Sequence, residues 1–333
     1  MNNLKKGLIE KLKNNNNFII TTHENSDGDG LGTQFALYQY LKSLGKNVEM
    51  LNEDFPQEKY AFLGFNQLVK KELIIRKENN EENDPYVIMV DCNEKSRIGE
   101  SLQYIFRDDS KLIRIDHHRN PEEIPASFSI IDENASSVCE ILFYLLRDEV
   151  KNFDEQDLKK WANCLYSGII FDTNNFTNSN VSPGTFYAVS ELKRFGAEHR
   201  LCYMQMFEDK SNNILKLLGE TLSTIEEILD GKLVIYHTTQ KMLKNCNLKS
   251  EATEGFTKEV RPDNGRQVVI YIRETDNEYC RVSLRSNGLN VQKIAGEFGG
   301  GGHKVASGFK VKMDLEPLKK KLIEIVTSKM VRN

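Results

Sequence analysis

Phe18-Ile19-Ile20-Thr21-Thr22-His23-Glu24-Asn25-Ser26-Asp27-Gly28-Asp29-Gly30 decides the fold class. Its first five residues form a β-rich run, and a helical pattern follows from about Leu31 to Leu44, with Gly45 as C-cap. Asn47-Val48-Glu49-Met50-Leu51 then reads as another strand. Strand, helix, strand is a βαβ crossover, which pairs its strands in parallel. Tyr86-Val87-Ile88-Met89-Val90 leads into Asp91, and Leu112-Ile113-Arg114-Ile115 leads into Asp116. Nearly continuous apolar runs of this length suit strands buried on both faces of a sheet. The expected class is α/β, with an open, mostly parallel sheet.

From about Ser136 to Leu229 the pattern turns helical. Ser136-Ser137 with Glu140 resembles a capping box ahead of an apolar face of Cys139, Leu142, Phe143 and Leu146. Further helices are expected from about Asp154 to Phe171, Pro183 to Phe195 and Ser211 to Leu229, the last connecting two domains. The β signal returns in Leu233–Tyr236, Val268–Ile272 and Tyr279–Leu284, with helices at Val291–Glu297 and near Leu315–Thr327. Asn14–Asn17 reads as a loop. The expected division is an α/β domain over 1–185, a helical linker over 186–230 and a smaller α/β domain over 231–333.

A chain of 333 residues suits two domains, each with its own core. Apolar content of 39% and charged content of 28% exclude disorder or a collagen-like repeat as a description of the whole. No apolar run approaches the ~20 residues a bilayer span needs. Met1-Asn2-Asn3-Leu4-Lys5-Lys6 is followed by no signal-peptide core, so the expected compartment is the cytoplasm. Six scattered cysteines without a CxxC read as free thiols there. Residues 1–230 carry a net charge of −12 and residues 231–333 one of +8. An acidic body concentrates cations and a basic tail domain attracts phosphates, unless both are simply solvated surfaces.

Four segments carry candidate chemistry. In His23–Gly30, Asp27 and Asp29 stand two residues apart in a glycine-rich turn, with an imidazole just before them. That reads as a plain turn or as a metal loop. Asp91, just past a strand, reads as a helix N-cap or a ligand, since ligands in open α/β sheets bind at the carboxyl ends of strands. Asp116-His117-His118-Arg119 also follows a strand. One histidine could coordinate a metal while the other faces substrate, Asp116 could orient a ring, and Arg119 could grip phosphate. Asp172, in Phe171-Asp172-Thr173-Asn174-Asn175-Phe176, ends an apolar helix. His23, Asp27, Asp29, Asp91, His117 and Asp172 together offer carboxylates that would repel strongly without cations. A mixed carboxylate and imidazole set suits manganese better than calcium. Paired metals are machinery for phosphoester hydrolysis. In the basic domain, Arg285 follows a strand, and Phe298-Gly299-Gly300-Gly301-Gly302-His303 brings backbone amides and an imidazole to a possible anion, or is a flexible linker. His199 and His237 read as surface or structural residues, and Trp161 as core.

HENSDGDG, VDC, DHHR, FDTNNF and GGGGH, in this order, resemble the DHH phosphoesterase family with its DHH-associated C-terminal domain. The branch most resembled is that of compact bacterial nanoRNA hydrolases, which also act on 3′-phosphoadenosine 5′-phosphate (pAp). The resemblance implies that His23, Asp27 and Asp172 hold one manganese and Asp29 and His117 the other, with Asp91 bridging. It implies that His118 contacts the scissile phosphate, with Asp116 behind it. Arg285, His303 and the preceding Gly301-Gly302, with Arg119, would bind substrate. In the family's fourth motif glycine commonly follows Asp-Thr. Here Asn174 stands there, a residue that tolerates left-handed backbone.

The implied activity is a two-Mn2+ 3′–5′ exoribonuclease on very short RNA, with pAp phosphatase activity; Co2+ or Mg2+ are alternative metals. The alternative is a phosphodiesterase of cyclic di-AMP or of its linear product pApA. A third reading, from a different class, is a nucleotide-sensing protein with an inert site. The expected partners are short RNA or small nucleotides, with neither a membrane nor long duplex nucleic acid, and a homodimer is compatible with the sequence.

Overall fold

The structure is a computed structural model that describes residues 2–72, 84–118, 125–208, 211–253, 255–275 and 279–331. The chain divides into two compact units, Met1–Asp209 and Lys210–Asn333.

In the first unit the elements run α1 (Asn2–Asn14), β1 (Asn17–Thr21), α2 (Gly28–Ser43), β2 (Asn47–Leu51), β3 (Val69–Lys70), β4 (Tyr86–Val90), β5 (Leu112–Asp116) and β6 (Phe128–Ile131). Then come α3 (Val138–Leu146), α4 (Glu155–Asp172), α5 (Pro183–Arg194) and α6 (His199–Tyr203). The sheet is parallel throughout, in the order β3-β2-β1-β4-β5-β6. After β2 and β3 the chain returns to the other side of β1. The ends of β1 and β4 therefore flank the point where strand order reverses, which is where open α/β sheets leave a crevice.

Both faces of the sheet are covered. Phe18, Ile20, Ile88 and Ile113 point into a core shared with α2, α3 and α4. Ile19, Val87, Met89 and Leu112 point into a second core with Ile98 and Leu102. This double burial explains the apolar runs in the sequence. α2 is buried on nearly every side, and Gly32 and Gly168 let it press on its neighbours. A Cβ on Gly168 would stand 2.2 Å from Cys139 Sγ and 3.0 Å from Asp29 Oδ1. Trp161 is fully buried. α5 starts at Pro183 behind a Ser182–Thr185 capping box. Its Ala188 and Leu192 join the core of this unit.

The second unit runs α7 (Asn212–Leu222), β7 (Glu226–Ile228), β8 (Leu233–Thr238), α8 (Gln240–Asn245), β9 (Val268–Glu274), β10 (Tyr279–Ser286), α9 (Val291–Gly296), β11 (Gly301–His303), β12 (Ala306–Lys312) and α10 (Leu315–Val331). Its sheet has the order β11-β12-β10-β9-β8-β7, with β8 and β9 parallel and the other pairs antiparallel. The expected helix from Ser211 to Leu229 stops at Leu222. Thr224 Oγ1 donates to Thr221 O at 2.7 Å and accepts from His237 N at 2.9 Å. A hydroxyl that competes for backbone partners ends the helix and passes the chain to β7 at the sheet edge.

All six cysteines are buried free thiols. Among the described residues, no helix is long and apolar enough to cross a membrane.

Candidate metal centre

The carboxyl ends of β1, β4 and β5 bring their following residues together. Past β1, the Nδ1–H of His23 is 2.8 Å from Glu24 O, where it can donate. That leaves Nε2 facing Asp91 Oδ2 at 3.5 Å and Asp27 Oδ2 at 3.7 Å. Asp27 has two uses. Its Oδ1 caps α2, accepting from the backbone of Asp29 at 3.0 Å and of Gly30 at 3.3 Å, while its Oδ2 stays toward His23.

Asp91 sits at φ 52, a left-handed conformation uncommon outside glycine. It caps no helix; the next helical turn, at Lys95–Ile98, has Glu94 before it. The left-handed step is instead where the chain turns out of β4. Asp91 Oδ2 faces His23, and Oδ1 lies 3.8 Å from His117 Nε2 and 3.5 Å from His118 Nδ1.

His117 Nε2 lies 3.1 Å from Asp172 Oδ2 and 4.0 Å from Asp29 Oδ2. Asp172 therefore groups with Asp29 and His117, while Asp91 joins His23 and Asp27. The resemblance implied a grouping of Asp172 with His23 and Asp27; in the structure the Asp172 carboxylate stands beside His117. The reason lies in α4: its final residue reaches the cluster from the side where α2 and α3 meet. Asp29 is fully buried, and its two oxygens accept from the amides of Val138 at 2.6 Å and Cys139 at 2.8 Å, at the start of α3. A helix N-terminus favours a carboxylate there.

Asp116 Oδ1 accepts from the backbone of His117 at 2.8 Å and of His118 at 3.1 Å, and lies 2.9 Å from His118 Nδ1. Its buried carboxylate thus fixes the backbone of both histidines and the ring of His118. His118 is the more open of the two, with 41% of its side chain exposed against 12% for His117.

The electrostatics follow from this crowding. Burial disfavours charge on His23, but the facing carboxylates of Asp27 and Asp91 outweigh it and lift its pKa to about 10. Burial likewise opposes charge on His117, and Asp172, Asp29 and Asp91 raise it to about 10. Burial, together with the charges of Asp27 and Asp172, pushes Asp91 up to about 6. Asp29 rises well above the usual range through burial and the charges of Asp91 and Asp172. The hydrogen bond to Asp116 raises His118. Without cations, this cluster holds protons in their place.

Two buried atoms decide whether the site fits a metal. Asp91 Oδ1 and His117 Nε2 have no hydrogen-bond partner, although both face polar neighbours. Buried polar groups are rarely left so. Four carboxylates and two imidazoles around orphaned donor atoms fit divalent cations.

The other candidate residues are distributed as follows. Arg119 lies outside the described residues. Arg285, Gly301, Gly302 and His303 belong to the second unit. Register places Arg285 opposite Ala306 and Ala306 opposite His303, so these residues form one rung on one face of the sheet. The glycine run is thus an edge strand rather than a linker. Gly302 sits at φ 129, and a Cβ there would stand 2.6 Å from Ala306 O. Asn174 is left-handed, at φ 46, as the glycine it replaces would allow. The sequence did not reveal the amides of Val138 and Cys139 as the seat of Asp29. The Ser137 cap pointed to a helix start at that place, but not to what docks on it.

The N-terminal domain of the DHH family matches residues 17–169, and the DHHA1 domain matches residues 234–330. Both a DHH domain and a DHHA1 domain are present in this chain. As a DHH protein it is a phosphoester hydrolase. It is 28% identical over 319 residues to the bifunctional oligoribonuclease and PAP phosphatase NrnA of Mycoplasma genitalium, covering 92% of this chain and 93% of that one. Against the protein of the same name from Thermus thermophilus it is 28% identical, covering 94% and 90%. A solved structure of an exopolyphosphatase-related protein from Bacteroides fragilis shares the fold, with a TM-score of 0.82 at 23% identity, covering 98% of this chain and 96% of that one.

Proposed function

We propose that this DHH protein is a manganese-dependent 3′–5′ exoribonuclease acting on very short RNA, with pAp phosphatase activity. The observation that carries the reading is Asp91, which offers one oxygen toward His23 and the other toward His117. His23, Asp27 and Asp91 would hold one divalent cation, and Asp29, His117, Asp172 and Asp91 the second. Bound there, the pair would supply Lewis acidity and charge neutralisation for phosphoester hydrolysis.

The remaining steps fall to the chain itself. Asp116 holds His118 Nδ1–H, so Nε2 is the atom that hands a proton to the leaving oxygen. The hydrogen bond to Asp116 raises the pKa of His118 and so favours its doubly protonated form. Arg119 would contact the phosphate beside His118. In the second unit, Arg285, His303 and the Gly301-Gly302 backbone would bind substrate phosphate. The −12 charge of residues 1–230 disfavours long nucleic acid, whose binding depends on basic surface. The names of the curated relatives, oligoribonuclease and PAP phosphatase, support the substrate class.

A panel of a diribonucleotide, pAp, pApA, cyclic di-AMP and a long single strand, with manganese, tests the reading. The highest kcat/KM is expected on the dinucleotide, with measurable turnover of pAp. Preference for cyclic di-AMP or pApA would instead make this a signalling phosphodiesterase. Equal turnover of the dinucleotide and the long strand would overturn the short-substrate claim.

A further inference from the structure

One face of the second unit's sheet carries a charge pattern that the metal centre does not use. Register sets Lys310 of β12 opposite Arg281 of β10, and Arg281 opposite Arg273 of β9. Three cations thus stand in one rung, and like charges directly opposite destabilise a sheet. Among the described residues, neither Arg281 nor Lys310 has an acidic partner. Lys310 lies over the Tyr279 ring at 4.5 Å. Arg273 is held in place by donating to Ser250 O at 2.8 Å and Thr253 Oγ1 at 2.7 Å.

These cations border a cavity of about 450 Å³, also lined by Thr253, Thr257 and Ser283. None of its described lining residues is acidic. Guanidinium and ammonium donors beside hydroxyl-bearing residues, with no carboxylate among the described lining residues, are surroundings that suit a phosphate. Arg281, Ser283 and Arg285 alternate along β10 with the buried Val282 and Leu284, so the cavity and Arg285 share a face. Arg285 lies four positions beyond Arg281, about 13 Å at ~3.3 Å per residue. One nucleoside bisphosphate is shorter than that backbone spacing, whereas a chain of three or more nucleotides spans both rungs.

We propose that the pocket of Arg273, Arg281 and Lys310 is a second phosphate subsite. It takes a backbone phosphate of an oligoribonucleotide whose terminal nucleotide sits at Arg285 and His303. The inference rests on the reading that those two residues grip the substrate. It makes affinity rise between two and about four nucleotides, as a cationic track along single-stranded RNA would.

The test uses the full chain in EDTA, so that RNA is bound and not cut, with fluorescein-labelled diadenylate and pentaadenylate as probes. In R281A/K310A, pentaadenylate should bind at least tenfold more weakly and diadenylate within twofold of wild type. The slope of log affinity against log salt should fall by about one to two for the pentamer alone. K241A/K320A, which removes the same charge elsewhere, should leave both probes unchanged. Undiminished pentamer binding, equal loss on both probes, or the same loss in the control pair would overturn the subsite. Wild-type protein that hydrolyses neither dinucleotide nor pAp with manganese, yet shows the length-selective loss, would sink the proposed activity and leave the subsite. Intact turnover without that loss would sink the subsite alone.

Discussion

Asp116 and His118 form the tightest charged contact in the centre that leaves a histidine open to solvent, with Oδ1 to Nδ1 at 2.9 Å. The same oxygen accepts both following backbone amides, so the carboxylate fixes backbone and ring together. Asp116→Asn weakens the hold on the Nδ1–H tautomer and the support for an imidazolium. The expected result is a fall in kcat of about 10–100-fold with KM within about twofold, and an alkaline limb of the pH profile moved to lower pH. An unchanged pH profile with a raised KM would make Asp116 a structural residue only.

Metal uptake should expel protons. His23 and His117 are raised to about 10, so in the metal-free chain both are protonated through neutral pH. Cations bind the neutral ring, so loading displaces those protons, and affinity must increase as pH rises from about 6 toward 9. Calorimetric titration at pH 7.5, in buffers of different ionisation enthalpy, should report release of about two protons per fully loaded chain. Loading without proton release would mean that the imidazoles are not ligands.

Glu140 should matter to stability although it is remote from chemistry. It is buried, and accepts from the Ser136 amide at 3.0 Å and the Thr185 hydroxyl at 2.9 Å, joining the start of α3 to α5. Glu140→Ala leaves those donors without a partner in the interior, and should lower unfolding free energy by about 2–3 kcal/mol in urea. Because the same helix start seats Asp29, metal affinity should fall with it. A loss under about 0.5 kcal/mol would show that water replaces the carboxylate freely.

The parallel sheet was legible because Phe18–Thr21, Tyr86–Val90 and Leu112–Ile115 are nearly continuous apolar runs, broken only by Thr21 and Arg114, a pattern that suits strands buried on both faces. The six donor residues were legible because each follows such a strand, opens α2 or ends a buried helix. Their grouping was not. Whether Asp172 faces His23 or His117 depends on the angle at which α4 packs, and nothing near Asp172 in the chain encodes that. β7 was missed because Thr224 ends the preceding helix through a side-chain bond to β8, a partner remote in pattern. α1 was also missed: its buried face is little more than Leu8 and Leu12, set among lysines and asparagines.

Asp91 is the residue whose loss should be most complete. Asp91→Ala removes both oxygens that face the two imidazoles, and turnover of a dinucleotide should fall by about 10³-fold or more, while the melting temperature changes by only a few degrees. Retained hydrolysis would take Asp91 out of the mechanism.

The central claim is that six side chains make one pocket for two divalent cations. The most direct measurement is dinucleotide turnover against manganese added back to exhaustively chelated protein. The account predicts no turnover without metal and saturation at two ions per chain. Full turnover with no manganese restored would contradict it.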